Sequence, residues 1–278
     1  PLKDMQKTNE KLRIPETLRK VKNLIGIFSA KGGVGKSAIS LQVALALRDK
    51  GYKVGLVDAD IYGPSQPVML NAHPGELKLT NEKIIEPLEK EGIKFISMGL
   101  ISDEKMPVIW RGPMVSGAVM QLLAQTDWGE IDYLIIDTPP GTGDVQLTLL
   151  QRIPLTSSIV VTTPQDVSVS DCKKGIEMIK KLELPISGLI ENMSWFQPNA
   201  DEKKYYLFGK DGGKHLAEEY SLELLGQLPL IESTEKSSFV DNESLKIEFL
   251  KIADKLVKSA ETLKEKKPNE IPQINVTE

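Results

Sequence analysis

The run Ile25-Gly26-Ile27-Phe28-Ser29-Ala30-Lys31-Gly32-Gly33-Val34-Gly35-Lys36-Ser37 constrains the fold more than any other part of the chain. Its apolar start reads as a buried strand, its glycines as a tight loop, and Lys36-Ser37 as the opening of an amphipathic helix. Strand, glycine-rich loop and helix, in that order, are the context a phosphate-binding loop requires. Gly32, Gly33 and Gly35 can take positive φ and let the backbone pass close to a polyphosphate. The N–H groups of Gly32, Gly33, Val34, Gly35, Lys36, Ser37 and Ala38, with the positive end of a helix beginning near Lys36, then form an anion cradle. Lys36 is expected to reach the β- and γ-phosphates, and the Ser37 hydroxyl to ligate Mg²⁺. The usual motif starts with glycine six places before the lysine. Here that place is Ala30, and a second lysine, Lys31, sits inside the loop. The ligand this loop predicts is a nucleoside triphosphate.

The rest of the chain alternates in kind. Val54–Val57, Phe95–Met98, Tyr133–Ile136, Ser158–Thr162, Ile186–Ile190 and Leu224–Leu228 are short apolar runs that read as strands. Helices are expected over Ser37–Lys50, with Gly51 as a stop signal, over Arg111–Gln125, with Pro113 in its first turn, and over Ser168–Lys181 and Gly212–Glu219. Leu245, Phe249, Ile252, Leu256, Ala260 and Leu263 recur at three and four, one stripe of a terminal helix. Leu77–Lys94 reads as small strands and turns. Strands that are apolar throughout and alternate with helices predict an α/β fold, a P-loop NTPase with a mostly parallel sheet covered by helices on both faces. The ATPase domain is expected over residues 22–265, after a charged arm or linker over 1–21 and before a mobile tail over 266–278.

In an open parallel sheet, ligands gather at the carboxyl ends of the strands. Asp58, Asp60 and Asp137 each follow such an end. Asp137, after Tyr133-Leu134-Ile135-Ile136, has the position of a Walker-B acid that holds Mg²⁺ or a water on it, and Asp58 reads as a support for the magnesium shell or the loop. His73 and His215 lack metal-ligand spacing, and the single cysteine, Cys172, reads as a small buried hydrophobe. The chain of 278 residues, 40% hydrophobic, suffices for one sizeable domain, and its net charge of −4 gives no electrostatic case for nucleic acid. No apolar run approaches the ~18 residues of a membrane span, and the polar start lacks the apolar core of a leader. A cytoplasmic protein with neither membrane nor nucleic acid as partner is expected.

Four stretches carry a family resemblance: Lys31-Gly32-Gly33-Val34-Gly35-Lys36-Ser37, Asp58–Ser65, Trp110–Met114 and Asp137–Asp144. The first is similar to the deviant phosphate loop of the MinD/ParA/nitrogenase-iron-protein group, and the others resemble its Mrp (ApbC) branch over about residues 22–230. The resemblance implies a homodimeric Mg²⁺-dependent ATPase among iron–sulfur cluster carriers, with client or scaffold proteins as further partners. It implies that Asp60 positions the water attacking the γ-phosphate and that Lys31 crosses the dimer interface to the partner's phosphates, as an arginine finger would. It also places Asn192 and Pro229 where relatives contact adenine. Arg111 is either a helix cap or a subunit contact, and the aromatic stretch Ser194–Lys210 either loop packing or a docking surface.

One departure bears on the cluster. Mrp-type carriers place a C-x-x-C pair shortly after Glu191-Asn192-Met193, and here the matching positions are approximately Pro198 and Asp201. Clusters are ordinarily held by four thiolates, so this chain is expected to hold one weakly or not at all. A nucleotide-gated adaptor without a cluster therefore stands beside the carrier reading, and a MinD- or ParA-like positioning ATPase is the other alternative.

Overall fold

The computed structural model describes residues 15–80, 84–101, 112–198, 202–231 and 243–266. Most of the expected arm, the Trp110-Arg111 pair, Asp201 and the tail beyond Lys266 lie outside the described residues. In chain order the strands are β1 (Val21–Phe28), β2 (Val54–Asp58), β3 (Lys78–Leu79), β4 (Ile85–Glu86), β5 (Leu88–Lys90), β6 (Ile93–Ser97), β7 (Ile131–Asp137), β8 (Ser157–Thr162), β9 (Ile186–Glu191) and β10 (Leu224–Gln227). The helices are α1 (Lys36–Asp49), α2 (Gln66–Met69), α3 (Gly112–Gln125), α4 (Asp144–Arg152), α5 (Asp166–Lys181), α6 (Gly212–Glu219) and α7 (Glu243–Lys266).

Eight of the strands form one sheet in the order β10-β9-β8-β1-β7-β2-β6-β5. Of these only β5 runs antiparallel, while β3 and β4 pair separately as a small hairpin. The glycine loop thus springs from the centre of the sheet, flanked by β7 and β8. Every residue of β2 and β8 is buried, because helices cover both faces. One core packs α1 and α7 on the sheet through Leu41, Leu47, Phe249, Ile252 and Leu256. The other, on the opposite face, gathers Leu123, Trp128, Leu149, Ile176 and Leu216. The terminal stripe is the buried side of α7 from Leu245 to Ala260.

Two details differ from the sequence expectations. The strand expected over Phe95–Met98 is Ile93–Ser97, and Met98 begins a 3₁₀ turn whose Gly99 N–H is capped by Ser97 Oγ at 3.0 Å. Helices α2 and α4 were not expected. The first is a single turn, and the second follows a Pro- and Gly-rich run that conceals its start.

Candidate functional site

Between β1 and α1 the chain turns through residues 29–35. Gly33 and Gly35 take φ of +79° and +83°, a region closed to most side chains, whereas Gly32 does not use its freedom in this way. The loop's outer half, at Gly32 and Gly33, is exposed. Its inner half is braced: Asn192 Nδ2 donates to the Val34 carbonyl at 2.9 Å, and Ser29 Oγ donates to the Lys31 carbonyl at 2.8 Å. A side chain at Gly35 would collide with the Asn192 carboxamide. Asn192 therefore lies against the loop itself.

Beneath the loop the sheet register brings charges together. Ile27 of β1 pairs with Asp137 of β7, and Asp137 in turn pairs with Asp58 of β2. Both carboxylates are fully buried, and a buried charge needs a partner. Lys36 supplies it. Its amine turns inward to Asp137 Oδ1 at 2.5 Å, with only 5% of the side chain exposed. Asp137 also accepts from Ser40 Oγ at 3.0 Å and from Gln66 Nε2 at 3.1 Å. Asp58 accepts from the N–H groups of Asp60 and Gln66 and from Ser97 Oγ. Burial, and then the neighbouring charge of Asp137, push the Asp58 carboxyl up to about 8 against these hydrogen bonds.

Asp60 is buried just beyond β2, and its Oδ1 accepts from the N–H groups of Tyr62 and Gly63 at 3.2 Å each. It lines an open cleft of 570 Å³ together with Tyr62, Pro139, Asp144 and Gln146. The cleft lies between the loops that follow β2 and β7, at the carboxyl edge of the sheet.

The remaining expected residues lie further out. Lys31 Nζ rests 3.6 Å from Asp171 Oδ2 of α5 and is 42% exposed. Pro229 is half-buried in the extended segment after β10, where the Leu228 and Leu230 N–H groups bond to Glu191 and Trp195. Cys172 is buried within α5, and desolvation pushes its thiol up to about 12. His73 and His215 are exposed and well separated in the fold. In the aromatic stretch, Phe196 and Tyr205 exchange backbone hydrogen bonds and Lys204 covers Trp195, while Tyr205, Tyr206 and Leu207 face solvent. Ser40, Gln66, Ser97 and Asp171 were missed in the sequence. Only Ser40, one turn beyond Ser37 on the same helix face, left a readable signal there.

A central strand, a glycine cradle at a helix start and acids at two adjacent strand ends define a P-loop nucleoside triphosphatase fold. The family model of the NUBPL iron-transfer P-loop NTPases, within ParA, matches residues 20–262, and the chain belongs to this family. It is 47% identical over 262 residues to an iron-sulfur cluster carrier protein of Methanocaldococcus jannaschii, covering 91% of this chain and 90% of that one. With the iron-sulfur cluster transfer protein NUBPL of Mus musculus it shares 46% over 220 residues, 78% of this chain and 69% of that one. Among solved structures, a nucleotide-binding protein from Archaeoglobus fulgidus in complex with ADP superposes with a TM-score of 0.68 at 28% identity, covering 92% of each chain. The cell division ATPase MinD of Pyrococcus furiosus shares the fold at a TM-score of 0.62 and 20% identity, over 85% of this chain and 98% of that one. No helix among the described residues is long and apolar enough to cross a membrane.

Proposed function

We propose that this chain is a homodimeric, Mg²⁺-dependent ATPase that serves iron–sulfur cluster delivery without holding the cluster on its own thiolates. The observation that carries the nucleotide reading is the glycine cradle with the buried Lys36–Asp137 pair at its base. A triphosphate in the cradle competes with Asp137 for the Lys36 amine, and the loop N–H groups bind its oxygens. The Ser37 hydroxyl and the Asp58 and Asp137 carboxyl groups are hard oxygen donors of the kind Mg²⁺ takes and would hold the ion, the two aspartates through its waters. The ion, when bound, neutralises charge on the β- and γ-phosphates.

The chain's own residues do the rest by positioning. Two backbone N–H groups fix the Asp60 carboxylate at the cleft, where it can orient a water for in-line attack. Lys31, on a long ion pair at the surface, is free to exchange Asp171 for the phosphates of a second subunit. Asn192 and Pro229 border the side on which adenine would lie, Asn192 through its brace on Val34. Asp60→Ala should keep ATP affinity while slowing phosphate release on the order of a hundredfold, because a transition-state contact is lost and ground-state contacts remain. Unchanged release at saturating ATP would move the role to another group.

Family membership favours the iron–sulfur reading over a positioning ATPase. In that reading the cluster is cargo rather than a resident cofactor. Pro198 is exposed where the family's first cysteine would stand, and the Cys172 thiol is buried and stays protonated at neutral pH. Thiolates for the cargo would then come from a client or scaffold protein. Anaerobic reconstitution of the wild type beside Cys172→Ser, with iron and sulfide counting, tests this. Both should hold well under one cluster per dimer; a stoichiometric, chelator-resistant cluster on the wild type would overturn the adaptor reading.

A further inference from the structure

Gln66 opens α2 with no exposed surface. Its side-chain nitrogen donates to the Ser37 carbonyl at 2.8 Å and to Asp137 Oδ2 at 3.1 Å, and its backbone N–H donates to Asp58 Oδ2 at 3.2 Å. Carbonyl and carboxylate oxygens only accept, so reversing the carboxamide would set oxygen against oxygen; the orientation is fixed. The carboxamide oxygen is thereby left buried with no hydrogen-bond partner among the described residues. Buried polar atoms are nearly always paired, so this one calls for a donor.

Its surroundings name the donor. The three residues to which Gln66 donates, Ser37, Asp58 and Asp137, all belong to the proposed magnesium set. The oxygens of Asn23 and Gln146 are likewise buried without partners among the described residues, but their carboxamide nitrogens bond to Asp132 and Thr138, outside that set. Mg²⁺ keeps several of its waters when bound to protein and nucleotide, and such waters have protons to give. We propose that Gln66 is a positioning residue of the magnesium–nucleotide site. Its oxygen accepts a hydrogen bond from a water of the ion's shell, and its nitrogen holds Asp137 and the first turn of α1 in register. This role rests on the nucleotide reading of the loop and adds the residue that sets the affinity for the divalent ion.

The test is calorimetric titration of ADP into the wild type and Gln66→Met, in EDTA and at rising Mg²⁺. Methionine keeps the length of the side chain and removes both polar atoms. Any fall in ADP affinity in EDTA reads the lost hold on α1, and beyond it the Mg²⁺ concentration for half-maximal enhancement should rise about tenfold, as loss of an outer-shell partner does. An equal loss with and without Mg²⁺ indicates a merely structural role and overturns the proposal, as does an unchanged Mg²⁺ dependence. If Gln66→Met does not fold, the wild type decides, uniformly labelled with ¹⁵N and ¹³C and with the Gln66 carboxamide assigned by through-bond experiments on the wild type itself. A carboxamide signal that shifts when Mg²⁺ is added to the ADP complex supports the proposal, and an indifferent signal overturns it. Failure of wild-type protein to bind ADP at all would instead overturn the site reading beneath it.

Discussion

Lys36 and Asp137 meet at the base of the loop with 5% and none of their side-chain surfaces exposed. Two charges so placed are tolerable only together, because desolvation penalises either one left alone. Lys36→Ala strands the Asp137 carboxylate, which Ser40 and Gln66 still contact but cannot neutralise. Urea unfolding of the nucleotide-free variant should show a loss of about 3 kcal/mol. A loss below about 0.5 kcal/mol would mean that the pair contributes nothing net to the apo fold. Asp58 is relieved differently. Burial, and then the neighbouring charge of Asp137, push its carboxyl up and favour its protonated form, which spares Asp137 a second like charge in the nucleotide-free, metal-free site.

At the scale of elements, the loop is shaped from two sides. Gly35 needs its left-handed φ of +83°, and its missing side chain leaves room for the Asn192 carboxamide that holds Val34. Gly35→Ala suffers both backbone strain and collision; Asn192→Ala loses one hydrogen bond, worth about 1 kcal/mol. The two should couple. In a double-mutant cycle read by thermal unfolding, Asn192→Ala should recover part of the Gly35→Ala loss, leaving the strain of φ. Simple additivity would show that Asn192 does not press on the loop. Much at this scale was legible in advance. Apolar runs bounded by glycine and proline marked the buried strands, and the glycine cluster before Lys36-Ser37 marked the start of α1. Asp58 and Asp137 were legible as acids closing apolar runs. What was hidden depends on the third dimension. Gln66 lies far along the chain from Asp137, and Asp171 from Lys31, so no periodicity links them. The inward turn of Lys36 was hidden too, because it follows from the register of β1 on β7.

For the whole molecule, the sheet directs its carboxyl edge toward one side, where loop, cleft and Lys31 all lie. The Lys31–Asp171 pair is long and exposed, and such pairs contribute roughly 0–1 kcal/mol, so in the proposed dimer a second subunit's phosphates would displace Asp171 readily. With a non-hydrolysable ATP analogue and Mg²⁺, light scattering should report twice the mass of the monomer or a tightened dimer, and Lys31→Ala should abolish the change. A wild-type monomer at high concentration with analogue bound would remove the subunit-crossing role. All of these roles depend on the cradle being a nucleotide site. The most direct measurement is calorimetric titration of a non-hydrolysable ATP analogue with Mg²⁺ into wild type and into Lys36→Ala. One nucleotide per chain is expected for the wild type and no measurable binding for Lys36→Ala. Equal affinity in the two proteins would contradict a phosphate-binding role for the loop.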